Sequence, residues 1–191
     1  GVKRVVYTSV LHADTSSLDL AEEHRQTEAE LKASGLAFTI VRHGWYTENY
    51  TGFIAGALSA GELIGSAGDG KISAATREDF AQAAAVVLTR YDQEGKIYEL
   101  AGDCAWTLSE LAAEVSRQTG RNIPYKNLPE TDYAAALINF GLPEPLAHAL
   151  AGYDVSASKD ALFDDSHQLS TLIGRATTSL SAAVASALKG Q

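Results

Sequence analysis

The first 128 residues alternate short apolar segments with longer helical ones, and this alternation most constrains the fold. Residues 2–10 and 36–42 are β-branched and almost continuously apolar, as expected for strands buried on both faces. Between them, residues 19–34 are rich in helix formers and are followed by Gly35, a typical helix stop. A strand-helix-strand unit of this kind favours a right-handed parallel crossover. The sequence therefore predicts an α/β fold with a doubly wound parallel sheet.

The remaining segments divide into a front with strands and a back with helices only. In chain order, we predict a helix at 45–58, a helix at 76–91, a strand at 96–101, a helix at 107–120 and an edge strand at 123–128. From residue 129 onward the sequence predicts only short helices, so we divide the chain into domains 1–128 and 129–191. The glycine-rich run 65–70 has no obvious preceding strand and is predicted to be a surface turn.

Composition excludes several classes of function. The chain has 15 Lys+Arg against 24 Asp+Glu, a net charge of −9, which argues against a nucleic-acid partner. The single cysteine, Cys104, excludes an internal disulfide and a cysteine-based zinc site, and the histidines lack metal-ligand spacing. The apolar-rich stretch 81–88, which is interrupted by Gln82, is too short to span a bilayer, and no signal peptide is visible. We therefore expect a cytoplasmic protein without a metal or a membrane span.

The usual dinucleotide-binding turn does not occur in this sequence. In a doubly wound sheet that turn follows the first strand and carries spaced glycines at the start of a helix. No such glycine pattern follows any predicted strand, and the chain has no methionine and runs from Gly1 directly into a strand. We expect the first strands and the glycine-rich turn to lie upstream of Gly1.

Several segments together resemble one family. They are Tyr-Thr-Ser-Val-Leu-His-Ala-Asp at 7–14, Arg-His-Gly-Trp-Tyr-Thr-Glu-Asn-Tyr at 42–50, Gly-Asp-Gly-Lys at 68–71 and Tyr-Glu-Leu-Ala-Gly at 98–102. This combination resembles the atypical short-chain dehydrogenases of the NmrA-like group, which includes bacterial NADPH-dependent quinone oxidoreductases and triphenylmethane reductase. The resemblance covers essentially the whole chain. It implies a Rossmann-like domain, a small and mostly helical substrate lobe, and NADPH as cofactor.

The resemblance also implies which segment contacts the cofactor. Matching positions in the family run along the nicotinamide and its ribose, and here they are His43, Gly44, Trp45, Tyr46, Thr47 and Glu48. A turn after a parallel strand is a common ligand position, and Trp45 and Tyr46 offer flat walls for a quinone. We expect Trp45 and Asn49 to contact the substrate. The alternative is that Trp45 and Tyr46 fill the core between a helix and the sheet.

The end of the first strand and the following helix hold the other candidates. Thr8 and Ser9 lie where relatives place an active-site serine, although hydrogen bonding within the loop is an equal alternative. His24 and Leu20 occupy the positions at which ordinary short-chain dehydrogenases keep lysine and tyrosine. The usual general acid is therefore missing, and His24 and Tyr46 are the candidate proton donors. His24 is equally well explained by pairing with Glu28 one helical turn later.

We therefore expect an NADPH-dependent quinone oxidoreductase that transfers hydride to a small quinone without flavin. Quinone reduction needs little acid catalysis, because the electron-poor ring accepts hydride directly. The alternative is an NmrA-like regulatory protein that binds NADP and catalyses nothing. A homodimer is a further expectation, and the helices that carry Tyr133, Phe140 and Tyr153 either cover the substrate cleft or pack as core.

Overall fold

The structure is a computed structural model that describes residues 1–190. Its strands are β1 (Arg4–Val10), β2 (Ala37–His43), β3 (Leu63–Gly65), β4 (Ile97–Leu100) and β5 (Tyr125–Asn127). Its helices are α1 (Ala21–Ala33), α2 (Glu48–Thr51), α3 (Ile54–Ala60), α4 (Arg77–Thr89), α5 (Leu108–Thr119), α6 (Glu130–Asn139), α7 (Glu144–Ala157), α8 (Gln168–Ile173) and α9 (Leu180–Lys189). None of the helices formed by residues 1–190 combines the length and the apolar character needed to cross a bilayer.

The chain forms two units that are interleaved along the sequence. The first unit contains Gly1–Tyr46, Ser73–Ala105 and Asp164–Thr178. The second contains Thr47–Ile72, Trp106–Phe163 and the residues from Ser179 onward. The domain boundary expected after residue 128 falls inside the second unit. It does not coincide with a boundary between the two units, and it stays a prediction.

The first unit is built on a parallel sheet with strand order β1-β2-β4. Strands β1 and β2 pair from Arg4 opposite Ala37 to Val10 opposite His43, and β2 pairs with β4 up to His43 opposite Leu100. The carboxyl ends of all three strands therefore lie side by side. The predicted α/β fold with parallel strands at these three segments is confirmed.

A buried ion cluster fastens α1 to this sheet. The Arg42 guanidinium on β2 donates to both carboxylate oxygens of Glu28 on α1, at 2.8 and 2.6 Å. The same guanidinium pairs with Glu99 on β4 and with Asp14, each at 2.8 Å, and the Ser9 hydroxyl donates to Glu28 at 2.7 Å. Burial raises the pKa of Glu28, but the hydrogen bonds from Arg42 and Ser9 outweigh burial and lower that pKa to about 2.

The other side of the sheet is covered by α4. A reciprocal capping box between Thr76 and Asp79 begins this helix, as the sequence predicts. Its apolar face packs Phe80 against Val41 and Leu100 in one buried cluster, which α8 completes with Leu169 and Leu172. This cluster forms the core beneath the carboxyl end of β2.

The second unit departs from two expectations. The single helix expected at 45–58 is two helices, because the chain turns at Gly52 and Phe53, and glycine is a poor helix former. The run 65–70 is mostly buried rather than a surface turn, because β3 leads into it and pairs with β5 in parallel. A Cβ at Gly70 would collide with the backbone carbonyl of Ala157, which shows how closely α7 packs there.

Removing one partner of the buried ion cluster should destabilise the protein strongly. We expect Glu28→Ala to lower the free energy of unfolding by about 3 kcal/mol, because it leaves the buried Arg42 charge undercompensated. Chemical denaturation monitored by circular dichroism measures this change. Glu22→Ala is the matched control on the same helix: its ion pair with Arg25 is exposed, so the free energy of unfolding should fall far less than in Glu28→Ala. Equal losses in the two variants would contradict a structural role for the cluster.

Candidate functional site

The candidate site is at the carboxyl end of β2, where His43 is the last strand residue. Its imidazole stacks on Phe80, with ring centroids 4.5 Å apart and an angle of 21° between the planes. Both ring nitrogens are buried, and within residues 1–190 neither has a hydrogen-bond partner. Burial lowers the pKa of His43 to about 4. The ring is therefore neutral at pH 7, and a cofactor contact at this position would use the backbone.

Gly44 follows His43 at a close approach between backbones. Its amide donates to the Leu100 carbonyl at 2.7 Å, which joins the ends of β2 and β4. A Cβ at Gly44 would lie 3.2 Å from that carbonyl oxygen and 3.5 Å from the Ser73 carbonyl oxygen. Packing within the protein thus favours glycine here, independently of the predicted cofactor contact.

Trp45 and Tyr46 are both half-buried, so each keeps part of its surface exposed. The Tyr46 ring meets Phe80 edge to face at 5.4 Å, and the Arg77 guanidinium lies 4.6 Å from its centroid. Backbone contacts with Ala75 hold both residues: the Ala75 amide donates to the Trp45 carbonyl at 3.1 Å, and Tyr46 forms a parallel bridge with Ala75. Tyr46 therefore combines core packing with an accessible surface.

The end of β1 carries Thr8 and Ser9 in different environments. Thr8 is exposed, whereas Ser9 is buried and donates to Glu28, so its side chain belongs to the ion cluster. The register places Ser9 opposite Arg42, directly before His43. Both residues thus lie at the same end of the sheet as the β2 candidates, and only Thr8 is accessible.

His24 forms a hydrogen bond with a residue that the sequence analysis missed. The Tyr7 hydroxyl and His24 Nδ1 are 2.7 Å apart, and burial lowers the pKa of His24. The alternative pairing of His24 with Glu28 stays a prediction: Arg42 and Ser9 hold the Glu28 carboxylate, while the charge of Glu28 acts to raise the pKa of His24 against the effect of burial. Tyr7 lies two residues before Ser9, so both side chains point to the α1 face of β1. The alternation of side chains between the two faces of a strand is the sequence signal that could have identified Tyr7.

Thr47, Glu48 and Asn49 belong to the second unit, where they begin α2. Thr47 is buried, and its carbonyl accepts the amides of Tyr50 and Thr51, each at 3.0 Å. Glu48 and Asn49 are half-buried. Among the ligand contacts expected in this unit, Glu48 and Asn49 therefore have accessible side chains, whereas Thr47 does not.

The part of the chain that the structure describes holds no cluster of three His, Cys, Asp or Glu side chains with the geometry of a metal site.

Comparisons with known proteins agree on one family. A model of the NmrA-like family matches residues 1–185. Quinone oxidoreductase 2 of Escherichia coli is 56% identical over 184 residues, which cover 96% of this chain and 64% of that protein. NAD(P)H azoreductase of Xenophilus azovorans is 28% identical, and the match covers 78% of this chain and 53% of that one. The chain thus spans less than two thirds of the length of these relatives.

Solved structures show the same fold. The NADPH complex of quinone oxidoreductase QOR2 from Escherichia coli superposes with a TM-score of 0.96 at 55% identity, covering 98% of this chain and 66% of that one. Triphenylmethane reductase from Citrobacter sp. superposes with a TM-score of 0.93 at 32% identity, covering 99% and 66%. The Rossmann-type reductase architecture expected from the sequence is confirmed.

The sealed imidazole of His43 should make stability depend on pH. The unfolded chain binds a proton near pH 6.5 and the folded one only near pH 4, so stability falls as the pH drops between these values. We expect the wild type to lose about 2 kcal/mol relative to His43→Phe between pH 7 and pH 5. Urea unfolding of both proteins at several pH values measures the difference. His148→Phe, at an exposed position, should follow the wild type, and parallel curves for all three proteins would contradict burial of a neutral His43.

Proposed function

The chain belongs to the NmrA-like family, and from this membership we propose that the whole protein is an NADPH-dependent quinone oxidoreductase. It would pass hydride from the nicotinamide to a small quinone without flavin. The observation that carries the proposal is the 56% identity, across 96% of this chain, to quinone oxidoreductase 2 of Escherichia coli. A cytoplasmic location and a homodimer stay predictions.

The residues at the end of β2 suit a nicotinamide. Half-exposed aromatic rings at the carboxyl end of parallel strands provide flat apolar surface where ligands of such sheets bind. NADPH, when bound, supplies the hydride. We propose that the exposed surfaces of Trp45 and Tyr46 orient the nicotinamide and quinone rings. Thr8, Glu48 and Asn49 would contribute polar contacts. His43, Ser9 and Thr47 would act through backbone atoms or by holding their neighbours, because their side chains are buried.

The chemistry asked of the protein is modest. An electron-poor quinone accepts hydride directly, so positioning and exclusion of competing reactions carry most of the rate. The oxygen that becomes negative is a weak base, and a hydroxyl donor or water completes the reduction. We propose Tyr46 as this donor, and His24, which shares a hydrogen bond with Tyr7, as the second candidate. His43 is not the proton donor at neutral pH, because burial lowers its pKa to about 4 and the imidazole is therefore neutral there.

A steady-state assay tests the function. The full-length protein should oxidise NADPH, followed at 340 nm, when 1,4-benzoquinone is added. Trp45→Ala should raise KM for the quinone about tenfold by removing a wall, and Tyr46→Phe should lower kcat about tenfold or more by removing a proton donor. Tyr91→Phe is the control, because Tyr91 is exposed at the end of α4 and should leave both constants unchanged.

The absence of NADPH oxidation with any benzoquinone-type acceptor would overturn the proposal. If the protein then bound NADPH without turnover, the regulatory alternative would take its place. Turnover that Trp45→Ala and Tyr46→Phe leave unchanged would keep the activity but move the site away from the end of β2.

A further inference from the structure

The second unit contains a cavity of about 540 Å³, a volume suited to a small organic ligand. Leucine and alanine contribute nearly half of its lining residues. Four aromatic rings also line it, those of Tyr50, Phe53, Tyr133 and Phe140. Phe53 and Phe140 are 43% and 66% exposed, so apolar surface reaches the solvent beside the cavity. Aromatic and aliphatic walls of this kind favour a flat apolar ring.

Two carboxylates line this cavity: Glu62, which is partly exposed and pairs with Lys126, and the buried Asp154. Asp154, on α7, is only 6% exposed. Its Oδ2 accepts the Ser66 amide at 2.8 Å, and within residues 1–190 its Oδ1 has no hydrogen-bond partner and no cation pairs with either oxygen. Buried carboxylates are normally paired or accept several hydrogen bonds. Asp154 therefore has an acceptor atom for which the described residues provide no donor.

The carboxylate is held in place by its surroundings. A Cβ at Gly65 would lie 2.8 Å from Asp154 Oδ2 and 2.6 Å from Leu108 Cδ1, so only glycine at 65 permits this arrangement. Ser66 is fixed in turn, because its hydroxyl donates to the Leu128 carbonyl at 3.0 Å. The Ser66 amide and the absence of a side chain at Gly65 thus fix the place of Asp154 Oδ2.

The ionisable groups near Asp154 do not neutralise it. Burial and then the charge of Asp154 raise the pKa of Tyr50 and Tyr133, while Tyr125 on β5 has its pKa raised to about 12 by the same causes, so all three phenols are neutral. Neither the Tyr50 nor the Tyr133 hydroxyl forms a hydrogen bond within the described part of the chain. Lys126 pairs with Glu62 at 3.5 Å, and both side chains are solvent-exposed.

We propose that this cavity binds a small aromatic molecule that bears a hydroxyl group, such as a phenol or a hydroquinone, whose O–H donates to Oδ1 of Asp154. The ring occupies the apolar space, and the hydroxyl gives the carboxylate its missing donor. A carbonyl compound would bring a second acceptor against the carboxylate, and a charged amine would have to leave water for apolar walls. The proposal needs no bound cofactor and does not depend on quinone reduction.

A pair of matched probes tests the proposal without NADPH. At pH 7.5, 2-naphthol, which is un-ionised at that pH, should bind at least tenfold more tightly than 2-methoxynaphthalene, by isothermal titration calorimetry. Asp154→Asn should lose at least tenfold for 2-naphthol and leave the ether unchanged. Glu144→Gln is the control: this carboxylate is on the same helix but exposed, and should leave binding of both probes unchanged.

The pH dependence gives a second, independent readout. Burial raises the pKa of Asp154 to about 6, so affinity for 2-naphthol should fall as the pH drops through that value. 1,4-Naphthoquinone should show the opposite trend, because a protonated Asp154 can donate to its carbonyl. In Asp154→Asn both trends should disappear.

Two results would overturn the proposal. One is equal affinity of wild type for the alcohol and the ether, and the other is Asp154→Asn binding 2-naphthol as tightly as the wild type. If circular dichroism shows that Asp154→Asn is unfolded, Ala60→Trp replaces it, since Ala60 lines the cavity at an exposed position. That variant should weaken both naphthalene probes, and undiminished 2-naphthol binding would place the ligand elsewhere.

Discussion

The first unit depends on the buried guanidinium of Arg42. Because this single group pairs with Glu28 on α1 and Glu99 on β4, it joins the helix and the strands on both sides of β2's end. Such a cluster is stable only when every member is paired, so it fixes the positions of its partners closely. The residue after Arg42 is His43, so the candidate site begins directly beside this cluster. The cluster also takes up Ser9 and Glu28, which leaves His24 to bond with Tyr7.

Much of this fold could be predicted because its elements follow simple periods. The strands β1, β2 and β4 contain mostly β-branched, aromatic or other apolar residues, and Thr76 and Thr107 begin their helices with capping boxes. The pair β3 and β5 could not be predicted with the same certainty, since each strand has three residues and only the pairing between them defines it. The buried run 65–70 was misjudged for this reason: glycines usually mark exposed turns, and here they permit close packing against α7.

The candidate site could be predicted as a segment but not side chain by side chain. The pattern at 42–50 indicated the right end of the right strand, yet nothing in it distinguishes the sealed His43 from the accessible Trp45 and Tyr46. That distinction depends on Phe80, which is far away in sequence and covers the imidazole. Asp154 could not be identified either, because a single aspartate in an alanine-rich helix has no pattern and only its burial makes it unusual.

His43 and Asp154 have opposite effects on the pH dependence of stability. His43 has a lowered pKa, so acid favours the unfolded chain between pH 6.5 and about 4. Asp154 has a raised pKa, so acid favours the folded chain between about pH 6 and 3.8. The two dependences nearly cancel below pH 6, and the wild-type profile alone would conceal both groups. A buried polar group without a partner costs stability whichever form it takes. For Asp154 a bound hydroxyl would remove that cost, whereas the imidazole of His43 is enclosed by aromatic rings and has no such cavity described beside it.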